Sequence, residues 1–171
     1  MLYSRVARQH WFMAISESQR SFAPENLRWA GVVYNGIPMD RYPFHTDKDD
    51  FLFFLGRADE EKAELLGWAA ALLFPIQWPE PFGLVMTEAM ACGTPVIALR
   101  NGSVPEVVAD GETGLVVDSV EEMATAVDRV GGLDPQVIRA RVEERFSAEA
   151  MVAGYERAYE RALAGERAGF G

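Results

Sequence analysis

Glu80 and Glu88 stand with seven residues between them across a change of character, from a proline-bearing loop to an apolar run. The loop reads Trp78-Pro79-Glu80-Pro81-Phe82-Gly83, and the spacing predicts a helix over 84–92 opened by Gly83 and closed by Gly93. A glycine at a helix start exposes backbone N–H groups and the positive end of the helix dipole, and a diphosphate fits there. An ordinary strand-to-helix loop stiffened by proline would read the same way. Glu88 falls between Met86, Ala89 and Met90, where a carboxylate is costly unless partnered. One carboxylate can accept both protons of a vicinal diol such as that of a ribose, each bond to a charged acceptor contributing about 1.5–3 kcal/mol. The periodicity equally allows a solvent-facing helix glutamate.

Other chemistries find less support. Cys92 is the single cysteine, so no internal disulfide forms, and its apolar neighbours assign it to packing. Two histidines and no Cys or His cluster argue against a metal site, and none is expected. His45 reads as a solvated residue of a loop. No P-loop or Gly-x-Gly-x-x-Gly pattern occurs, which argues against an NTPase or a dehydrogenase. Asn101-Gly102-Ser103 reads as a turn. A net charge of −10 and a pI near 4.7 argue against a nucleic-acid partner. The longest apolar run, 69–76, is far below a bilayer span, and no signal-peptide core precedes it. A cytoplasmic protein without a transmembrane segment is the expectation.

These residues need elements to hold them. Short apolar strands are expected at Trp11–Ile15, Val32–Tyr34, Phe51–Leu55, Leu72–Ile76, Pro95–Leu99 and Leu115–Val117. Helices are expected over 60–70 and 84–92, after Ser16, Ser103 and Ser119, from Pro135, and over 148–163. Ser16 with Gln19, Ser103 with Glu106 and Ser119 with Glu122 each have capping-box spacing. Strands alternating with helices imply an α/β fold, a Rossmann-like parallel sheet with helices on both faces. Ligands of such sheets bind beyond the carboxyl ends of the strands, which again selects the loop after Leu72–Ile76.

The wider pattern resembles a known family. The Glu80–Glu88 segment is followed by Ala91-Cys92-Gly93-Thr94-Pro95-Val96-Ile97-Ala98, Gly102-Ser103-Val104-Pro105-Glu106-Val107-Val108 and Asp110-Gly111-Glu112-Thr113-Gly114-Leu115-Val116-Val117. Upstream stand Val33-Tyr34-Asn35-Gly36-Ile37 and Phe54-Leu55-Gly56-Arg57. In order and spacing these resemble the retaining nucleotide-sugar glycosyltransferases of the GT-B fold, group 1 (family 4). The resemblance implies a nucleotide-diphosphate sugar as donor substrate and no cofactor or metal. It implies that Glu88 binds the donor ribose and that Glu80 faces the transferred sugar. Phe82, Gly83 and Leu84 would offer backbone N–H groups, and Arg57 would contact the diphosphate with its permanently charged fork.

The sequence also departs from that family. Gly56-Arg57 runs directly into Ala58–Leu66, which resembles the helix before the signature strand, so two intervening strand–helix units are missing. The lysine that follows the Gly-Arg pair in the family is missing too, and Lys62 sits on the later helix. Residues 1–45 resemble only the tail of an acceptor domain and the interdomain connection; 46–171 resemble a shortened donor domain. In a sheet of order 3-2-1-4-5-6, loss of strands 2 and 3 leaves four contiguous strands, with Phe51–Leu55 as an apolar edge open to pairing. A homo-oligomer or a separate acceptor-domain chain would then complete the enzyme, with the acceptor and donor base unidentified. The alternative is a non-catalytic nucleotide-sugar-binding module or structural remnant.

Overall fold

In a computed structural model, which describes residues 10–54 and 61–168, four parallel strands form the central sheet in the order β3-β4-β5-β6. They are β3 (Leu52–Phe53), β4 (Ala71–Phe74), β5 (Val96–Leu99) and β6 (Gly114–Val117). The alternation of side chains across a strand sorts the apolar residues onto two faces. Leu72, Phe74, Val96, Ala98 and Val116 face one core; Ala71, Ile97, Leu99, Leu115 and Val117 face another. Both faces are buried, so these strands are apolar throughout rather than alternating.

Helices cover each face. On the first lie α2 (Lys62–Trp68), α3 (Leu84–Ala91), the single turn α4 (Val104–Val107) and α6 (Pro135–Arg145), contributing Leu66, Met86, Met90, Val107, Ile138 and Val142. On the second lies α5 (Val120–Val130), with Met123, Ala126 and Val130 inward. Every residue of α3 from Met86 to Ala91 is buried, as expected of a helix apolar around its whole circumference. The expected contiguous parallel order is therefore the observed one. The edge is weaker than expected: β3 pairs only Leu52 with Ala71 and Phe53 with Leu72. Leu52 and Phe54 are 39% and 61% exposed, because nothing among the described residues covers that side. Leu55, the end of the expected strand, lies outside the described residues.

A second parallel pair, β1 (Trp11–Ala14) and β2 (Arg28–Val32), is joined through α1 (Glu17–Ser21). The sequence places β2 later, at Val32–Tyr34. The ladder sits earlier because its flanking residues pack: the Arg28 guanidinium lies 4.2 Å over the Trp11 ring, and the Trp29 and Phe12 rings meet edge to face at 6.2 Å. This small unit rests on the long α7 (Ala148–Ala168), with Ala30, Val33 and Ala158 buried between them.

Two of the three capping boxes form. Ser119 Oγ accepts from the Glu122 N–H at 3.1 Å while Glu122 Oε2 accepts from the Asp118 N–H at 2.9 Å. Ser16 Oγ accepts from the Gln19 N–H at 2.9 Å, and Gln19 Oε1 reaches back to the Ile15 N–H at 3.0 Å. The third does not form. Ser103 is itself helical in backbone and its hydroxyl donates to the Phe82 carbonyl at 2.9 Å. Glu106 points across the molecule instead, accepting from the N–H groups of Glu17 and Ser18, each at 2.7 Å, and from the Tyr34 hydroxyl at 3.1 Å. A carboxylate at a helix N-terminus satisfies donors that lack intrahelical partners, so Glu106 fastens the β1–α1–β2 unit to the sheet domain.

The loop 38–50 is packed rather than loose. Met39 and Tyr42 lie against the main core. Lys48 Nζ donates to the carbonyls of Gly67 and Cys92 and to Thr94 Oγ1 at 2.8–3.0 Å, and burial lowers its pKa to about 8. His45 corrects the sequence expectation of a solvated residue: its ring stacks on Trp68 at 3.9 Å, and its Nε2 is buried without a hydrogen-bond partner. Cys92, at the end of α3, is fully buried, and burial pushes its thiol up to about 12, which suits packing and not reactivity. Among the described residues no helix is long and apolar enough to cross a membrane.

Candidate donor site

The loop between β4 and α3 lies at the carboxyl end of a central strand and is held from both sides. Phe82 is buried, its ring meeting Tyr34 at 6.2 Å and Phe146 at 5.8 Å. That ring anchors the backbone at the point where the helix begins. From the turn after β5, the Ser103 N–H donates to the Glu80 carbonyl at 3.0 Å and Asn101 Nδ2 donates to the Gln77 carbonyl at 2.7 Å. Gly102 makes this approach possible: a Cβ there would stand 2.5 Å from the Glu80 nitrogen and 2.9 Å from the Pro79 carbonyl carbon.

Gly83 opens α3 with φ +74°, in the left-handed region, and no side chain caps the helix. A Cβ there would stand 2.7 Å from Met86 Cε and 3.1 Å from Phe74 Cζ, so a side chain would need Met86 to shift as well as a strained backbone. The loop thus turns at its one glycine and aims the helix N-terminus past Glu80. Glu80 is half-buried, and its Oε2 accepts from the Trp78 indole N–H at 3.1 Å, with that ring 58% exposed. Leu84, the first residue of α3, is exposed.

The surroundings of Glu88 remove one of the two readings that periodicity leaves open. Glu88 is 9% exposed, and the solvent-facing reading is excluded. Lys62 Nζ donates to both of its oxygens, at 2.7 and 2.8 Å, and the Tyr42 hydroxyl donates to Oε1 at 3.0 Å. Tyr42 is held well above the usual tyrosine range, by burial first and then by the Glu88 charge, so it remains a proton donor at any working pH. Glu88 is the one charged residue among the buried polar groups of the described residues.

Of the sequence-expected residues, Glu80, Phe82, Gly83 and Leu84 gather at the helix start and Glu88 lies further along the same helix. Arg57 lies outside the described residues. Tyr42 and Lys62 are additions that the pattern does not reveal. A glutamate in an apolar run demands donors, but nothing in the spacing says which. A cavity of about 830 Å³ lies elsewhere, at the amino ends of the strands among Lys48, Asp50, Leu52, Pro95 and Asp128. The ammonium there is already committed to three acceptors, so that cleft offers no free cation.

Comparisons with known proteins converge on one family. Residues 45–136 match the model of glycosyl transferases group 1. N-acetyl-alpha-D-glucosaminyl L-malate synthase of Bacillus anthracis is 37% identical over 119 residues, 65% of this chain and 31% of its own length. D-inositol 3-phosphate glycosyltransferase of Mycolicibacterium smegmatis is 36% identical over 118 residues, 64% of this chain and 27% of its own length. The chain therefore spans about a third of the length of these relatives. Among solved structures, sucrose-phosphate synthase from Thermosynechococcus elongatus superposes with a TM-score of 0.73 at 19% identity, over 96% of this chain and 61% of that one. An Anabaena protein in complex with UDP-glucose superposes with a TM-score of 0.70 at 15% identity, over 89% and 63% of the two chains. The α/β sheet, the loop–helix site and these matches together make the chain a member of the group 1 glycosyltransferases.

Proposed function

We propose that the chain forms the donor-binding half of a retaining glycosyltransferase that uses a nucleotide-diphosphate sugar. The observation that carries this reading is Glu88, a buried carboxylate on a helix whose N-terminus begins with an uncapped glycine. Anion and diol acceptor are thus offered along one helix. Glu88 would accept the two ribose hydroxyl protons. The N–H groups of Phe82, Gly83 and Leu84 would hold phosphate and sugar oxygens, with Arg57 on the diphosphate. As the bond to the leaving diphosphate breaks, fixed donors around it stabilise the growing charge. Glu80 would face the transferred sugar from the loop. The likeness to a protein crystallised with UDP-glucose supports a uridine diphosphate sugar as the first donor to try.

Such a site is one wall of a cleft, and the acceptor wall must come from another domain or chain. The exposed β3 edge, with Leu52 and Phe54 beside it, offers unpaired strand groups and apolar surface to a second copy. Sedimentation velocity should then show an association that grows with concentration, and a single monomer boundary at high concentration would remove this part of the reading.

Calorimetric titration with UDP, GDP and ADP, followed by assay of donor hydrolysis, tests the function directly. Binding of one nucleotide, with slow hydrolysis of its sugar conjugate that Glu80→Ala abolishes, is the expected result. Binding without hydrolysis would mark a non-catalytic module. No binding at millimolar ligand by the wild-type chain or by a Lys62→Met variant would remove the donor site altogether.

A further inference from the structure

Lys62 occupies Glu88 in the manner a ribose would. A vicinal diol presents two O–H donors to the two oxygens of one carboxylate. The Lys62 ammonium does the same, donating to Oε1 at 2.7 Å and to Oε2 at 2.8 Å. The pair is sheltered, the two side chains being 15% and 12% exposed, and the ammonium already spans both oxygens that a diol would take. We propose that Lys62 is an internal competitor for the ribose subsite: it closes Glu88 in the empty protein and must be displaced when the nucleotide enters. This rests on the donor-site reading of Glu88 given above.

Three features make the lysine a displaceable occupant rather than a fixed strut. It sits at the first position of α2, where a cation is opposed by the positive end of its own helix, so its helix does not favour the pairing. Its flexible four-carbon stem and its residual exposure allow it to swing outward without opening the core. The second donor, Tyr42, stays behind and keeps Glu88 oriented. The ammonium that leaves Glu88 remains beside an anionic ligand, which partly offsets the lost ion pair. The subsite therefore discriminates twice, once for a diol that can replace two donors and once for a negative charge that can receive the lysine.

Lys62→Met keeps the stem and removes the charge. Isothermal titration of the full chain with UDP and with 2′-deoxy-UDP, at fixed ionic strength, separates the contributions. The expected result is UDP affinity raised roughly tenfold in Lys62→Met, with little gain for 2′-deoxy-UDP, which lacks the vicinal diol. Lys62→Gln, a weaker neutral donor, should fall between the two and serves if the methionine variant does not fold. Circular dichroism confirms folding in each case. Equal or weaker UDP binding in both variants, beside clear binding by the wild type, would overturn the competitor while leaving Glu88 as the ribose acceptor. An equal gain for both nucleotides would show that Lys62 does not guard the diol. If neither wild type nor variant binds UDP, both the competitor and the donor site are overturned, because an unblocked subsite must bind.

Discussion

Glu88→Ala is expected to cut UDP affinity at least a hundredfold and to lower the melting temperature in the same protein. The first effect follows from two hydrogen bonds to a charged acceptor, each about 1.5–3 kcal/mol. The second follows from the partners left behind. The Lys62 ammonium and Tyr42 hydroxyl would lose their common acceptor in a sheltered place, at a cost of about 1–3 kcal/mol. Adding Lys62→Met to Glu88→Ala should restore much of the stability and none of the binding, since it removes the orphaned charge without returning the acceptor. The pair of variants is read by thermal melts beside titrations. A double variant no more stable than Glu88→Ala would show that the ion pair contributes nothing to the fold. UDP binding that survives Glu88→Ala would move the ribose elsewhere.

Gly102→Ala carries the second large effect, through a residue with no chemistry of its own. Its φ of +51° lies in the left-handed region, and its missing Cβ faces the backbone of Pro79 and Glu80 rather than a pliable side chain. The strain of the backbone and the forced separation of two chain segments together cost about 2–4 kcal/mol. The loop that carries Glu80 would be pushed from the turn that holds it, so donor hydrolysis should fall with stability. Gly111→Ala is the matched control: its φ is +79°, yet nothing stands within 4 Å of the added carbon. It should show only the conformational cost, about 1–2 kcal/mol. If both variants melt together and retain equal hydrolysis, the turn does not support the site.

Much of this architecture was legible from spacing. The strands β4, β5 and β6 are buried on both faces, so each is a short unbroken apolar run, and the intervening Gly and Pro residues mark their ends. Their contiguous order follows from the family pattern and the units this chain lacks. Partners distant in sequence were not legible. Ser103 and Glu106 have the spacing of a capping box, but Ser103 is drawn to the Phe82 carbonyl, and Glu106 finds three donors on the far unit. Lys62 was placed correctly on the later helix, and it still meets Glu88, because the packing of α2 against α3 rather than any motif brings them together. Tyr42 carries no local signal at all. It lies in the 38–50 loop and is pinned there, with Arg139 donating to its carbonyl at 3.3 Å.

The dependence of β1 and β2 on α7 sets an order of events during synthesis. A two-stranded pair is marginal by itself, and this one buries Ala30 and Val33 in a cluster completed by α7. Ala30 and Arg161, which share a hydrogen bond, are 131 residues apart. At about 5–20 residues per second, roughly seven to twenty-six seconds pass between the emergence of the strands and that of their support. The sheet domain can close meanwhile, since its own contacts are made as each strand–helix unit appears. Trp11 and Met13, which pack toward α7, lack that cover through the interval. The strand pair is thus the part of the described fold that completes its packing last.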